Sequence, residues 1–226
     1  LPKACDSAYT GSMVAPLGIP LSTLKRLPLY LRIVQDRTAA GEEWVSSEFL
    51  AQRLGLGSIQ IRKDLSSVGI VGSPRRGFPA VVARERLSEL LGTGNRSDVF
   101  LVGAGPLGEA VFADRGIHRH GFKIVAVFDS DPALVGTRMG GPEDRKEVLP
   151  LSKLTGLVKR MAISIAVLAV ESSAAQECAD LLVSAGISGV LDLSGLPAVF
   201  PPTVAVSRTD FGAELASLSG RIGVRN

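Results

Sequence analysis

From Ser22 onward, Leu24, Leu27, Leu31 and Val34 recur at i, i+3, i+7 and i+10, which predicts a helix with one apolar face and Ser22 or Thr23 as its cap. A second helix is expected from Ser46 or Ser47 through Phe49, Leu50 and Leu54, ending at Gly55, and a third from near Ser58, with Ile61, Leu65 and Val68 on one face, ending at Gly69. Ile70 and Val71, the turn-rich stretch Gly72 to Gly77, and the apolar run Phe78 to Val82 then read as a hairpin. Three helices and a hairpin make a winged helix, here spanning 19–92 and closed by a short helix at Arg84 to Gly92. Residues 1–18 lack periodicity and are expected to be a disordered lead-in.

After a Gly, Asn and Ser linker at Thr93 to Ser97, the pattern changes to alternation. Strands are expected at Val99 to Val102, Lys123 to Phe128, Ile163 to Val170 and Val190 to Leu193. Helices fall between them at Pro106 to Asp114, Leu151 to Lys159 and Ala174 to Ser184. A last strand, Val204 to Ser207, precedes a terminal helix, Phe211 to Leu218. Such alternation indicates a parallel sheet with helices on both faces. The expected fold class is therefore α/β, a winged helix followed by a Rossmann-type domain over 93–208 and a C-terminal helix over 209–226.

Charge sharpens this division. The chain carries +3 in total, yet the stretch Ile19 to Arg84 holds Lys25, Arg26, Arg32, Arg37, Arg53, Arg62, Lys63, Arg75, Arg76 and Arg84 against Asp36, Glu42, Glu43, Glu48 and Asp64. The first domain is thus positive and the second slightly negative, as expected when only one of them faces a polyanion. The two cysteines, Cys5 and Cys178, form no disulfide framework and no metal-ligand spacing. The longest apolar run is too short to span a bilayer and the N-terminus has no leader pattern, so a cytoplasmic protein without membrane or metal partners is expected.

The string VFLVGAGPLGEAVF places Gly103, Ala104, Gly105, Pro106, Leu107 and Gly108 directly after an apolar strand and at the start of a helix. In this GxGxxG, Gly103 makes the tight turn, Gly105 lets the backbone approach a pyrophosphate, and Gly108 packs helix on strand. The helix N-terminus then favours phosphate charge. The next strand ends in Asp129, where a carboxylate takes both ribose hydroxyls and disfavours a 2′-phosphate, so NADH and NAD+ are the expected cofactors. That diol preference also argues against a CoA-binding module. No proton donor with suitable spacing is present for a dehydrogenase, because His118 and His120 fall in a basic loop remote from cofactor chemistry. Binding without turnover is expected, with no catalytic residues; a small NAD-dependent oxidoreductase is the alternative.

On the third helix, Ser58, Gln60, Arg62, Lys63 and Ser66 are polar positions opposite the buried face, suited to contact double-stranded DNA in the major groove. Arg75 and Arg76, between Pro74 and Gly77, would project from the wing toward phosphate or the minor groove.

These strings together, IPLSTLKRLPLYLRIV, VSSEFLAQRLG, IQIRKDLSSVGIVG, VGAGPLGEA, IVAVFDSD and AAQECADLLVSAGISGVLDLSG, resemble the Rex family of redox-sensing transcriptional repressors over nearly the whole chain. The resemblance implies a homodimer whose terminal helix swaps onto the partner, and release of operator DNA when NADH binds while NAD+ permits repression. It also implies that Asp210 of one subunit pairs with Arg32 of the other and that Phe211 packs near the nicotinamide. Three positions depart from the family pattern: Asp114 replaces a tyrosine that would share in the Asp210 and Arg32 switch, Glu171 replaces a proline, and the wing reads SPRRGFPA. A DNA-binding paralogue without redox response is the reading those departures keep open.

Overall fold

The computed structural model describes residues 18–93 and 97–223, and the chain divides between Asn95 and Arg96 into two compact units. The expected lead-in, apart from Gly18, and residues 94–96 of the expected linker lie outside the described residues.

The first unit runs α1 (Leu21–Ala39), β1 (Trp44–Val45), α2 (Ser47–Leu54), α3 (Ser58–Ser67), β2 (Phe78–Pro79) and α4 (Ala80–Leu90). Leu27, Tyr30, Leu31 and Val34 of α1, Leu50 of α2, Ile61 and Leu65 of α3 and Ala83 and Leu87 of α4 close one core. Helix α2 has the expected ends: Ser46 Oγ accepts the Phe49 amide at 3.0 Å, and Gly55 terminates it in the left-handed conformation. Helix α1 differs. Its N-cap is Pro20, and Thr23 is buried inside the first turn with its hydroxyl donated to Asp64 at 3.0 Å, so that side chain is unavailable as a cap.

The expected hairpin is corrected as well. Ile70 and Val71 form no strand; β2 pairs antiparallel with β1, Val45 against Phe78, and only a Ser73–Gly77 bridge closes the wing. Ala80, Val81 and Val82 belong to α4, which begins directly after Pro79 and therefore earlier than the Arg84 start expected. Pro79 offers no amide to extend a ladder, and the apolar run buries Ala80 and Ala83 on a helical face instead of alternate residues on a sheet.

The second unit contains β3 (Ser97–Val102), α5 (Pro106–Ala113), α6 (Arg115–Arg119), β4 (Phe122–Asp129), β5 (Arg138–Met139) and β6 (Lys146–Pro150). After a 3-10 turn (Leu151–Lys153) come α7 (Leu154–Met161), β7 (Ile165–Leu168), α8 (Ala175–Ala185), β8 (Gly189–Asp192), β9 (Ala205–Arg208) and α9 (Phe211–Ile222). The sheet order is β5-β6-β4-β3-β7-β8-β9, parallel throughout except for the edge strand β5. Its six parallel strands have the 3-2-1-4-5-6 order of a doubly wound dinucleotide-binding sheet. Alternate residues of β3 serve opposite faces: Phe100 and Val102 pack with Phe128, Leu168 and the helices α7 and α8, whereas Val99 and Leu101 pack with Val127, Val167 and Phe112 of α5. Three elements of this unit are not expected from sequence, β5, β6 and α6, the last of which holds His118 where a loop is anticipated. The strand KEVLP has one buried apolar residue, Val148, too little for a period-2 signal. Cys178 is buried on α8; burial, with the Glu177 and Asp129 charges, pushes its thiol up to about 11, which makes it a packing residue.

Candidate functional site

Order reversal on either side of β3 opens a crevice at the carboxyl ends of the parallel strands. A cleft of about 800 Å³ occupies it. One wall is the turn between β3 and α5, with Gly103, Gly105, Pro106 and Leu107; the others come from the end of β4 (Asp129 to Asp131), the segment after β7 (Ala169 to Ala174) and the segment after β8 (Leu193 to Gly195). The turn needs its glycines for separate reasons. Gly103 has φ +108 and lies so close to the Ala169 carbonyl that a β-carbon has no room; Gly108 is packed equally tightly on the Gly103 carbonyl. At Gly105, by contrast, a β-carbon would meet open space, the space a ligand approaching the backbone would need.

Asp129 ties this turn to β4. Its Oδ2 accepts the Ala104 amide at 2.6 Å and its Oδ1 accepts the Asp131 amide at 2.8 Å, so the carboxylate is fixed at the rim while each oxygen retains further acceptor capacity. Of the sequence-predicted cofactor residues, Gly103, Gly105, Pro106, Leu107 and Asp129 line the cleft, whereas Ala104 and Gly108 are buried behind it. Phe211 does not join them. It is 62% exposed at the start of α9, a helix with no buried residue, and lies outside the cleft lining. Neither His118 nor His120 lines the cleft.

The β8 wall has a support that the sequence did not single out. Asp192 is 3% exposed and accepts the Ser194 hydroxyl at 2.6 Å, the Ser194 amide at 3.1 Å and the Ala198 amide at 3.3 Å, with the Arg208 Nε 3.7 Å away. Ser172 Oγ donates to the Ser194 carbonyl at 2.7 Å, joining the β7 and β8 segments across the cleft floor. Among the described residues no Lys, Arg or His lines the cleft; the charged ones that do are Asp129, Asp131 and Glu171. Among the described residues there is no cluster of His, Cys, Asp and Glu able to hold a metal.

In the first unit, α3 is held by one buried carboxylate. Asp64, 2% exposed, accepts Arg26 Nε at 2.7 Å and Nη2 at 2.9 Å, the Tyr30 hydroxyl at 2.7 Å, the Thr23 hydroxyl at 3.0 Å and the Gln60 amide nitrogen at 2.9 Å. Burial raises its pKa, but these donors outweigh it and hold the group at about 2. Gln60 is therefore already committed to the anchor of its own helix, which changes its expected role as a free DNA contact. Arg62, Lys63 and Ser66 are exposed and Ser58 half-exposed. A groove of about 590 Å³ brings Arg62 and Ser66 together with Arg75 of the wing, over the N-terminus of α2 at Ser46 to Glu48. Arg75 sits in the left-handed region at φ +67, and Arg76 places its guanidinium 5.7 Å from the Trp44 ring centroid, close enough for a cation–π contact. Lys63, Ser58 and Arg76 do not line that groove.

The three candidate switch residues have distinct surroundings. Arg32 is exposed on α1 and makes no ion pair among the described residues. Asp210 caps α9, its Oδ1 accepting the Gly212 and Ala213 amides at 2.8 and 3.0 Å. Asp114, expected as the end of the first Rossmann helix, is the C-cap of α5 and also the N-cap of α6, where its carboxylate accepts the Gly116 amide at 2.6 Å.

Comparison with known proteins agrees with this architecture. A family model described as "Putative DNA-binding protein N-terminus" matches residues 18–66, and one described as "CoA binding domain" matches residues 95–194. The redox-sensing transcriptional repressor Rex of Treponema denticola is 34% identical over 87% of this chain and 91% of its own, and that of Carboxydothermus hydrogenoformans 35% identical over 90% and 96%. Among solved structures, RSP with NAD+ and operator DNA superimposes at a TM-score of 0.79 with 27% identity, covering 89% of this chain and 91% of that one; RSP with NADH does so at 0.75 with 26% identity, covering 90% and 93%. These relatives are repressors by name, the class the sequence predicts in place of an oxidoreductase. With such identity over nearly its whole length, the chain belongs to the Rex family of redox-sensing transcriptional repressors.

Proposed function

We propose that this repressor binds operator DNA as a cytoplasmic homodimer through α3 and the wing, and that NADH entering the cleft beside Gly105 and Asp129 releases it. One observation carries the reading: a doubly wound sheet with an open crevice at its switch point follows, in the same chain, a winged helix that brings Arg62 of α3 and Arg75 of the wing into one groove. Asp129 supports a ligand with a free ribose diol over CoA, whose ribose carries a 3′-phosphate. Release requires that NADH favour one domain arrangement by differential contacts and that NAD+ lack the same preference. Arg32 of one subunit and Asp210 of the other are the pair through which the DNA-competent arrangement is held, and α9 is the element exchanged between subunits.

The test is anisotropy of a fluorescent palindromic duplex bound to the purified protein, titrated with NADH and then NAD+ at fixed salt, because phosphate contacts make affinity salt-dependent. Release by NADH alone is the expected result. A second reading, a DNA-binding paralogue with no redox response, is favoured by Asp114, whose carboxylate is engaged in capping α6 and offers no tyrosine hydroxyl to a switch; it predicts binding that neither nucleotide alters.

A further inference from the structure

The cleft is polarised along its length. Asp129 marks one end, above β4, and the sheet then steps through β3 to β7 and β8. At ~4.8 Å between neighbouring strands, the segments after β7 and β8 lie on the order of 10–15 Å from Asp129. If the adenosine ribose is held at Asp129 and the pyrophosphate at the start of α5, that far end receives the nicotinamide. Its lining is small, apolar or hydroxylic, Ala169, Val170, Ser172 to Ala174 and Leu193 to Gly195, with one charged side chain, Glu171.

The two redox forms of the cofactor differ chiefly there: the oxidised ring is a pyridinium cation and the reduced ring is neutral. A carboxylate beside the ring attracts the first and is indifferent to the second, and among the described residues no lysine, arginine or histidine lines the cleft to neutralise it. The other two carboxylates act in the same direction, since NADH carries one more net negative charge than NAD+. Glu171 forms no ion pair among the described residues, so its charge is available to the ligand.

We propose that Glu171 is a specificity-determining residue that strengthens NAD+ binding relative to NADH, setting the response of this chain to a more reduced pool than a neutral side chain would. The inference rests on the dinucleotide reading of the cleft. Its test is the dissociation constant of each nucleotide, by calorimetry, for the full-length protein and for Glu171→Gln and Glu171→Lys. With Glu171→Gln, NAD+ should weaken about threefold to tenfold while NADH holds or tightens, and Glu171→Lys should widen that gap. The gap between wild type and Glu171→Gln should shrink in high salt, as expected for an exposed charge. Equal changes for the two nucleotides, or none, overturn the assignment of Glu171 and leave the dinucleotide reading standing. Failure of the wild type to bind either nucleotide overturns both.

Discussion

Arg26 of α1 grips Asp64 of α3 with two parallel hydrogen bonds, 2.7 Å from Nε to Oδ2 and 2.9 Å from Nη2 to Oδ1. The carboxylate is 2% exposed, so the pair fixes the helix that carries Arg62 and Lys63 against the helix that carries Arg32. A bidentate pair of this kind is geometrically specific, and removing one partner leaves a buried group uncompensated. Arg26→Ala and Asp64→Ala should each lower stability by about 3 kcal/mol, read as a shift of the urea midpoint with unchanged m-value. A loss below about 0.5 kcal/mol in both, the range of surface substitutions, would mean the pair is not holding the helices.

The same group sets an acid limit. Asp64 is held at about 2 against an ordinary 3.8, so its contribution is fully present above pH ~4 and is lost as pH falls through about 2. Its size is on the order of 2 kcal/mol. Tyr30, pushed up to about 12 by burial and by its hydrogen bond to Asp64, behaves with the opposite sign: its contribution is present below pH ~10 and fades as pH rises toward 12. Denaturation midpoints measured from pH 5 to 2 should fall more steeply for wild type than for Asp64→Asn, which has no carboxylate to titrate; parallel curves would contradict the assignment.

Asp129→Ala should weaken NADH binding by about 10- to 100-fold, for two reasons acting together. It removes an acceptor for the ribose hydroxyls, and it releases the Ala104 amide that now holds the glycine turn at 2.6 Å. Binding of the nucleotide-free protein to operator DNA should be retained. Nucleotide affinity equal to that of wild type, measured by fluorescence titration, would show that the ribose lies elsewhere.

On the DNA side, Arg62→Ala and Lys63→Ala should each cost about 1–3 kcal/mol of operator affinity where a base contact is lost. Arg75→Ala should weaken all sequences alike and reduce the slope of log affinity against log salt by about 1. Gln60→Ala is different: its amide nitrogen serves Asp64, so part of any loss in affinity should accompany a loss of stability. A Gln60→Ala protein with wild-type stability and weakened binding would restore Gln60 to the interface.

Legibility from sequence followed the range of the interactions. Local periodicity located α1 through Leu24, Leu27, Leu31 and Val34, and the α2 cap at Ser46 through a contact three residues away. Asp129 was readable because the nucleotide motif has a fixed offset between glycines and acid. The Asp64 cluster was not, since its partners Thr23 and Tyr30 lie 41 and 34 residues away in the chain and a single Asp on an amphipathic helix gives no sign of burial. The wing differs from the expected hairpin for a similar reason: β2 pairs with Trp44–Val45, far upstream, while the apolar Ala80 to Val82 fit a helix start as readily as a strand. Asp192 gives no sequence signal because its role, shaping the turn that walls the cleft, depends on amides two and six residues ahead in a loop without periodicity.

Helix α9 provides the sharpest test of assembly. Phe211, Leu215, Leu218 and Ile222 fall at i, i+4, i+7 and i+11, one continuous stripe, and are 62, 66, 47 and 67% exposed. Asp210 and Gly223 give the helix well-formed ends, so local geometry is satisfied while the apolar face is not. An exposed stripe of this size is costly to leave in water, and a second copy of the chain covering it is the arrangement the proposed homodimer requires. Leu215→Glu should convert the dimer to monomer in light scattering and weaken binding to a two-half-site operator far more than binding to a single half-site, while the α5 turn and its Asp129 tether, built by other elements, should persist. A Leu215→Glu protein that stays dimeric would place the subunit contact on another surface and remove α9 from the proposed exchange.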